Sequence, residues 1–165
     1  MSALGELSSY ASLKEAKEPV SSDTSVPFLS GQLGAELGLS TEALRIGLTV
    51  ASNHLLRGAY GEAMRVYVGL VLCEPMNVDF QVGLANCANL MGEHCVALQA
   101  ASAVIMLAPS DPRGYLLSGR SCIMLGQMDE ATEDLNDALK HANGNGAVVK
   151  EVGLLLDRIS MPALG

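Results

Sequence analysis

The residues of this chain that could do covalent or ligand chemistry are four cysteines, three histidines and one run of carboxylates. Cys73, Cys87, Cys95 and Cys122 occur singly. A zinc site would need paired thiolates or histidines at short spacing, and a disulfide framework would need a short cysteine-dense chain, so neither is indicated. Reduced, mostly buried thiols are the expectation. His54 and His94 fall at packing or turn positions of the helices derived below. His141 falls at a helix end, where its cation would suit the carbonyl dipole. Asp129, Glu130, Glu133, Asp134 and Asp137 read as the solvated face of a helix rather than an acidic docking site. Gly144-Asn145-Gly146 lacks the lysine and the preceding strand of a phosphate cradle and reads as a turn. No nucleophile–base pair, phosphate loop or carboxylate pair stands out, so no catalytic residue, metal or cofactor is expected. The function must then reside in a surface, and the chain is not expected to be an enzyme.

The elements that carry such a surface must be packed, and the composition supports this. The chain has 165 residues, 49% of them apolar and only 17% charged, which fits one folded domain rather than a disordered chain. A formal charge of −8 with ten Lys and Arg argues against a nucleic-acid or anionic-membrane surface. Residues 44–107 hold only four acids and three bases, too few to coat an exposed two-layer helical structure. Apolar surface there is expected to be covered by a partner or by a second copy. The start of the chain lacks a basic stretch followed by an apolar one, and no run approaches 18 apolar residues, so a cytoplasmic protein that does not enter membranes is expected.

An internal period of 34 organises the chain. Gly58, Gly92 and Gly126 repeat at that interval, as do Ala63, Ala97 and Ala131, and the small residues Ala51, Ala85 and Gly119. Pro75 and Pro109 keep the same step, with Asn143 next in phase. Glycine allows the left-handed conformation that ends one helix and reverses the chain. Alanine lets the second helix approach the first, and proline ends the unit. The spacing predicts helices near 41–57, 60–73, 78–91, 94–107, 112–125 and 128–141. A seventh near 147–159, carrying Val148, Val149, Val152, Leu155, Leu156 and Ile159, should cover the open end of the stack. The chain divides into an N-terminal segment at 1–40, three repeats at 41–143, and a capping helix with tail at 144–165. Within the first segment, 3–17 and 28–38 read as short helices flanking a Ser/Pro-rich linker, with partial disorder expected.

The stretch GYLLSGRSCIMLGQMDEATEDLNDAL at 114–139 resembles the tetratricopeptide repeat, with Tyr115, Gly119, Gly126, Ala131, Leu135 and Ala138 at the family's large, small, turn, small, large and small positions. The first unit (Ala51, Gly58, Tyr60, Ala63, Tyr67, Pro75) and the second (Leu84, Ala85, Gly92, Ala97, Pro109) match more loosely. Gly47 and Gln81 replace a large residue and Ala101 an aromatic, so looser packing is expected in those units. The resemblance implies an all-α superhelical stack whose first helices line a concave groove. Its groove positions fall on Arg45, Leu48, Ser52, Leu55 and Leu56; on Asp79, Val82, Asn86, Asn89 and Leu90; and on Arg113, Leu116, Arg120, Ile123 and Met124. Independently of any family, the fifth, ninth and twelfth positions of each unit share one helix face. Such a face suits an extended peptide, with Asn86 and Asn89 able to pair with its backbone. The competing reading is that Leu48, Leu55 and Leu116 are inter-repeat core.

Co-chaperones that grip a terminal carboxylate use Lys and Asn where this chain has Leu48 and Ser52, so that class does not fit. The layout of the whole chain, together with GLANCANLMGEHCVAL at 83–98, is similar to the LcrH/SycD-type class II chaperones of bacterial type III secretion systems. That resemblance implies binding of hydrophobic translocator proteins before their secretion. Some members of that class also dimerise through the N-terminal helix or assist a transcription activator, so a homodimer is one expectation. A general scaffold or adaptor joining other proteins is the alternative.

Overall fold

Helix boundaries follow local capping chemistry. The computed structural model describes residues 33–160; the expected helix at 3–17, the linker, Phe28 and the tail after 160 lie outside them. A short α1, Leu33–Glu36, precedes α2, Thr41–Leu56, and α3, Tyr60–Cys73; then come α4, Val78–Met91, α5, His94–Leu107, α6, Pro112–Leu125, α7, Met128–His141, and α8, Gly146–Ser160. Every described element is helical. Ser40, Asn77 and Asp111 cap α2, α4 and α6 by accepting from the amides of Ala43, Phe80 and Arg113 at 3.1, 3.3 and 2.9 Å. Gly92 and Gly126 end α4 and α6 with φ of 82° and 79°, and Gly58 takes 75° after α2. Where the proline phase reaches Asn143, that residue adopts φ 46°. Two residues on, Asn145 Oδ1 accepts from the amides of Ala147 and Val148 and starts α8.

The helices pair as α2/α3, α4/α5 and α6/α7, with α8 against α7. Among the described residues the first helices also touch one another, α2 on α4, α4 on α6 and α6 on α8, while α3 to α5 and α5 to α7 show no comparable contact. The stack therefore curves with α2, α4, α6 and α8 on its inner side. Small residues set the intra-pair distance: Ala51, Ala63, Ala85, Ala97 and Ala131 are fully buried. A Cβ on Gly119 would lie 2.8 Å from Leu135 Cγ, so α6 and α7 approach as closely as glycine allows.

The first and second pairs do pack less extensively than the third, yet the substituted positions themselves are filled. Leu70 fills the space beside Gly47, where a Cβ would come within 3.0 Å of it, and Ala101 is fully buried in the core. Gln81 is buried too, and its Nε2 donates to the Pro75 carbonyl at 2.9 Å. One period later the Tyr115 hydroxyl donates to the Pro109 carbonyl at 3.1 Å. Gln81 thus reproduces the hydrogen bond of the tyrosine it replaces. One core cluster runs through the first two units to Leu117, and a second joins Leu116, Leu135 and Ala138 to Val148 and Val152 of the capping helix.

Candidate peptide-binding groove

On each inner helix the polar and apolar groups that face the concavity recur at one face, so their positions are fixed by helical geometry rather than by loops. The larger cavity, about 480 Å3, is lined by Leu48, Ser52 and Leu55 of α2, by Asp79, Val82, Gly83 and Asn86 of α4, and by Arg113, Leu116, Leu117 and Arg120 of α6. Tyr67 of α3 and Glu151 of α8 complete it. A second cavity of about 240 Å3 lies toward the C-terminal ends of α4 and α6, where Asn89, Leu90, His94, Ile123 and Met124 meet Leu155 and Arg158 of α8, with Arg120 shared between the two.

Thirteen of the fifteen groove positions that the tetratricopeptide resemblance implies line these cavities. Arg45 and Leu56 line neither: Arg45 is held on the surface by Glu42 at 2.7 Å, and Leu56, the last residue of α2, is 84% exposed. Leu116 serves both readings, since it is 7% exposed in the second core cluster and still borders the cavity. Leu48, Leu55 and Val82 are half-buried on top of the first cluster. Groove and core are therefore the two sides of one thin layer.

The polar groups of the wall are cross-linked at the repeat period. Arg113 donates to Asp79 at 2.9 Å and through its Nε and Nη2 to Asp111. Burial alone would raise the Asp111 carboxyl, but the hydrogen bonds and charge of Arg113 outweigh it and hold the group below its ordinary range. The same pairing raises the Arg113 guanidinium. Seven residues on, Arg120 reaches Asn86 Oδ1 at 3.4 Å and is ion-paired with Glu151. Burial pulls the Arg120 guanidinium below its ordinary value. Asn89 is committed internally: its Nδ2 donates to the Leu117 carbonyl at 3.2 Å, and its Oδ1 accepts from the Ser121 hydroxyl at 3.1 Å and lies 3.2 Å from His94 Nδ1. Its amide links α4 to α6, so of the two asparagines only Asn86 keeps an open amide.

Sequence reasoning missed Tyr67, Gly83, His94, Leu117 and the α8 residues. Tyr67 enters the groove because Gly83 opposite it has no side chain: a Cβ there would overlap the tyrosine ring. The Tyr67 hydroxyl then meets Ser52 Oγ at 3.2 Å. A glycine inside a predicted helix was the available signal, since it costs helix stability unless something packs closely on it. Among the described residues no three His, Cys, Asp or Glu side chains gather to hold a metal, and no helix is long and apolar enough to cross a membrane.

No protein-family model and no curated protein sequence matches the chain. Solved structures do. PcrH from Pseudomonas aeruginosa superposes with a TM-score of 0.70 at 21% identity, covering 75% of this chain and 96% of that one. The Yersinia enterocolitica type III secretion chaperone SycD, in complex with a peptide of the translocator YopD, gives 0.68 at 22% identity over 73% and 94%. PcrH in complex with the chaperone binding region of PopD gives 0.70 at 22% over 74% and 94%. The chain has the fold of the type III secretion translocator chaperones. The match spans nearly the whole length of those chains, so the likeness is to the stack and not to one common repeat.

Proposed function

We propose that this chain is a type III secretion chaperone. In the bacterial cytoplasm it binds an extended segment of a hydrophobic translocator protein along the concave groove and keeps that client soluble and secretable. The observation that carries the reading is the Leu- and Val-lined cavity across α2, α4 and α6, in a fold whose solved examples include complexes with translocator segments. The half-buried Leu48, Leu55 and Val82 give pockets for alternate side chains of an extended peptide. Burial contributes roughly 25 cal/mol per Å2 of apolar area before ordering costs, so two or three anchors support micromolar binding. The work is holding and release, without a covalent step.

The test is affinity capture of the tagged chain from its native cells under secretion-inducing conditions, with Leu48→Glu and Val82→Glu as groove variants and Arg65→Glu on the exposed α3 surface as control. Leu116 is unsuitable for this purpose because it belongs to the core. Wild type and Arg65→Glu should retain one or two proteins with long apolar segments, while both groove variants lose them at unchanged far-ultraviolet circular dichroism. A heterogeneous soluble set, retained equally by the groove variants, would instead indicate an adaptor.

A further inference from the structure

Three arginines line the cavities, and their surroundings differ; Arg158 of α8 borders only the smaller one and is exposed. Arg113 is saturated: Asp111 and Asp79 take up Nε and both terminal nitrogens. Arg120 stands at the junction of the two cavities and is the residue they share. Its Nη1 has only the long contact to Asn86, and its Nη2 pairs with a carboxylate that comes from outside the repeats, Glu151 of the capping helix. Its Nε donates to nothing among the described residues and keeps some exposure to solvent. Both partners of the pair are about two-thirds covered.

Resting on the chaperone reading above, we propose that Arg120 is a specificity-determining residue that selects client segments carrying an Asp or Glu between apolar anchors, the client carboxylate engaging the Nε edge while Glu151 keeps Nη2. Apolar side chains of a client filling both cavities would strip the remaining water from Arg120. A guanidinium deprived of water must keep a carboxylate partner or impose a large desolvation cost. A neutral segment leaves Glu151 as the one carboxylate on Arg120, and an acidic segment adds a second on the Nε edge. The forked geometry of arginine suits a carboxylate better than a lone backbone carbonyl. Because α8 contacts α6 less extensively than α7, breaking the Arg120–Glu151 pair leaves the cap seated by Val148 and Val152.

The experiment is selection of a random twelve-residue display library on the full chain, in wild type, Arg120→Gln, Arg120→Lys, Glu151→Gln and Val82→Glu forms, followed by affinities of a selected peptide and its Glu-to-Gln twin. Wild type should enrich an apolar pattern with Asp or Glu at one fixed offset and prefer the acidic twin by roughly tenfold, the scale of one hydrogen bond to a charged group. Glu151→Gln should widen that preference by removing the resident carboxylate. Arg120→Gln should keep the apolar pattern and lose the acidic position, and Arg120→Lys should keep part of the preference. An acidic preference equal in wild type and Arg120→Gln, or no acidic position at all in peptides that Val82→Glu fails to bind, overturns the assignment of Arg120 and leaves the groove standing. Selection of nothing by the wild type, or of peptides that Val82→Glu binds equally well, removes the groove reading and this inference together.

Discussion

Asp134 shows how a single carboxylate reports the packing around it. It sits on α7 against Cys122 of α6, and burial, with the neighbouring charges of Asp137 and Glu133, holds its carboxyl above the ordinary range despite a hydrogen bond from Ser118. The folded chain binds this proton more tightly than the unfolded chain, so ionised Asp134 weakens folding at neutral pH. That penalty is relieved as pH falls through the raised folded value. Asp134→Asn should therefore raise the melting temperature at pH 7 and lose that advantage near pH 4; an equal gain at both would mean that ionisation is not the cause. Asp111 has the opposite sign, since its lowered carboxyl stabilises the fold above the unfolded value and loses that contribution on acidification. The groove wall is equally specific at Gly83. Gly83→Ala must push the buried Tyr67 ring aside, and denaturant titration should show a loss of about 1–3 kcal/mol.

At the scale of the element, glycines divide by their surroundings. Gly92 and Gly126 occupy left-handed conformations that stop α4 and α6, and an alanine at either position should cost roughly 1–2 kcal/mol although nothing crowds its Cβ. Gly69 lies inside α3 with open space around it. Gly69→Ala should instead stabilise by about 0.5–1 kcal/mol. Paired melts of Gly69→Ala and Gly92→Ala test the contrast, which fails if both shift in the same direction. The Gln81 bond to Pro75 and the Tyr115 bond to Pro109 show one interaction built from two residue types. What the element requires there is a donor to a carbonyl left open at the end of the preceding pair.

For the whole molecule, the capping helix has two tasks. Val152 is fully buried and, with Val148, closes the second core cluster over Leu116, Leu135 and Ala138. Val152→Ala should cost on the order of 2 kcal/mol, and because units of a solenoid depend on their neighbours the loss should appear first as hydrogen exchange in α7 and α8. Uniform exchange along the stack would contradict that ordering. The same helix brings Glu151, Leu155 and Arg158 to the groove. Apolar residues of the sparsely charged middle third, Ile46, Val50, Val68, Leu72 and Met106 among them, remain exposed. That is the surface which the composition alone left short of polar cover.

The period of 34 determined the helix pairs, their turns and the buried alanines, and helical spacing the common face of the fifth, ninth and twelfth residues of each unit, because those features depend on neighbours within one unit. Helical geometry relates residues four and seven apart without knowledge of the rest of the chain. What surrounds that face was decided between units. The internal commitment of Asn89 to Leu117 and Ser121, the entry of Tyr67 over Gly83, and the pairing of Arg120 with Glu151 join residues 16 to 32 positions apart across separate helices. No local spacing encodes such pairings, since they depend on how far each unit rotates on the next. Only the curvature of the assembled stack turned a row of helix faces into a cavity with two chambers and one shared arginine.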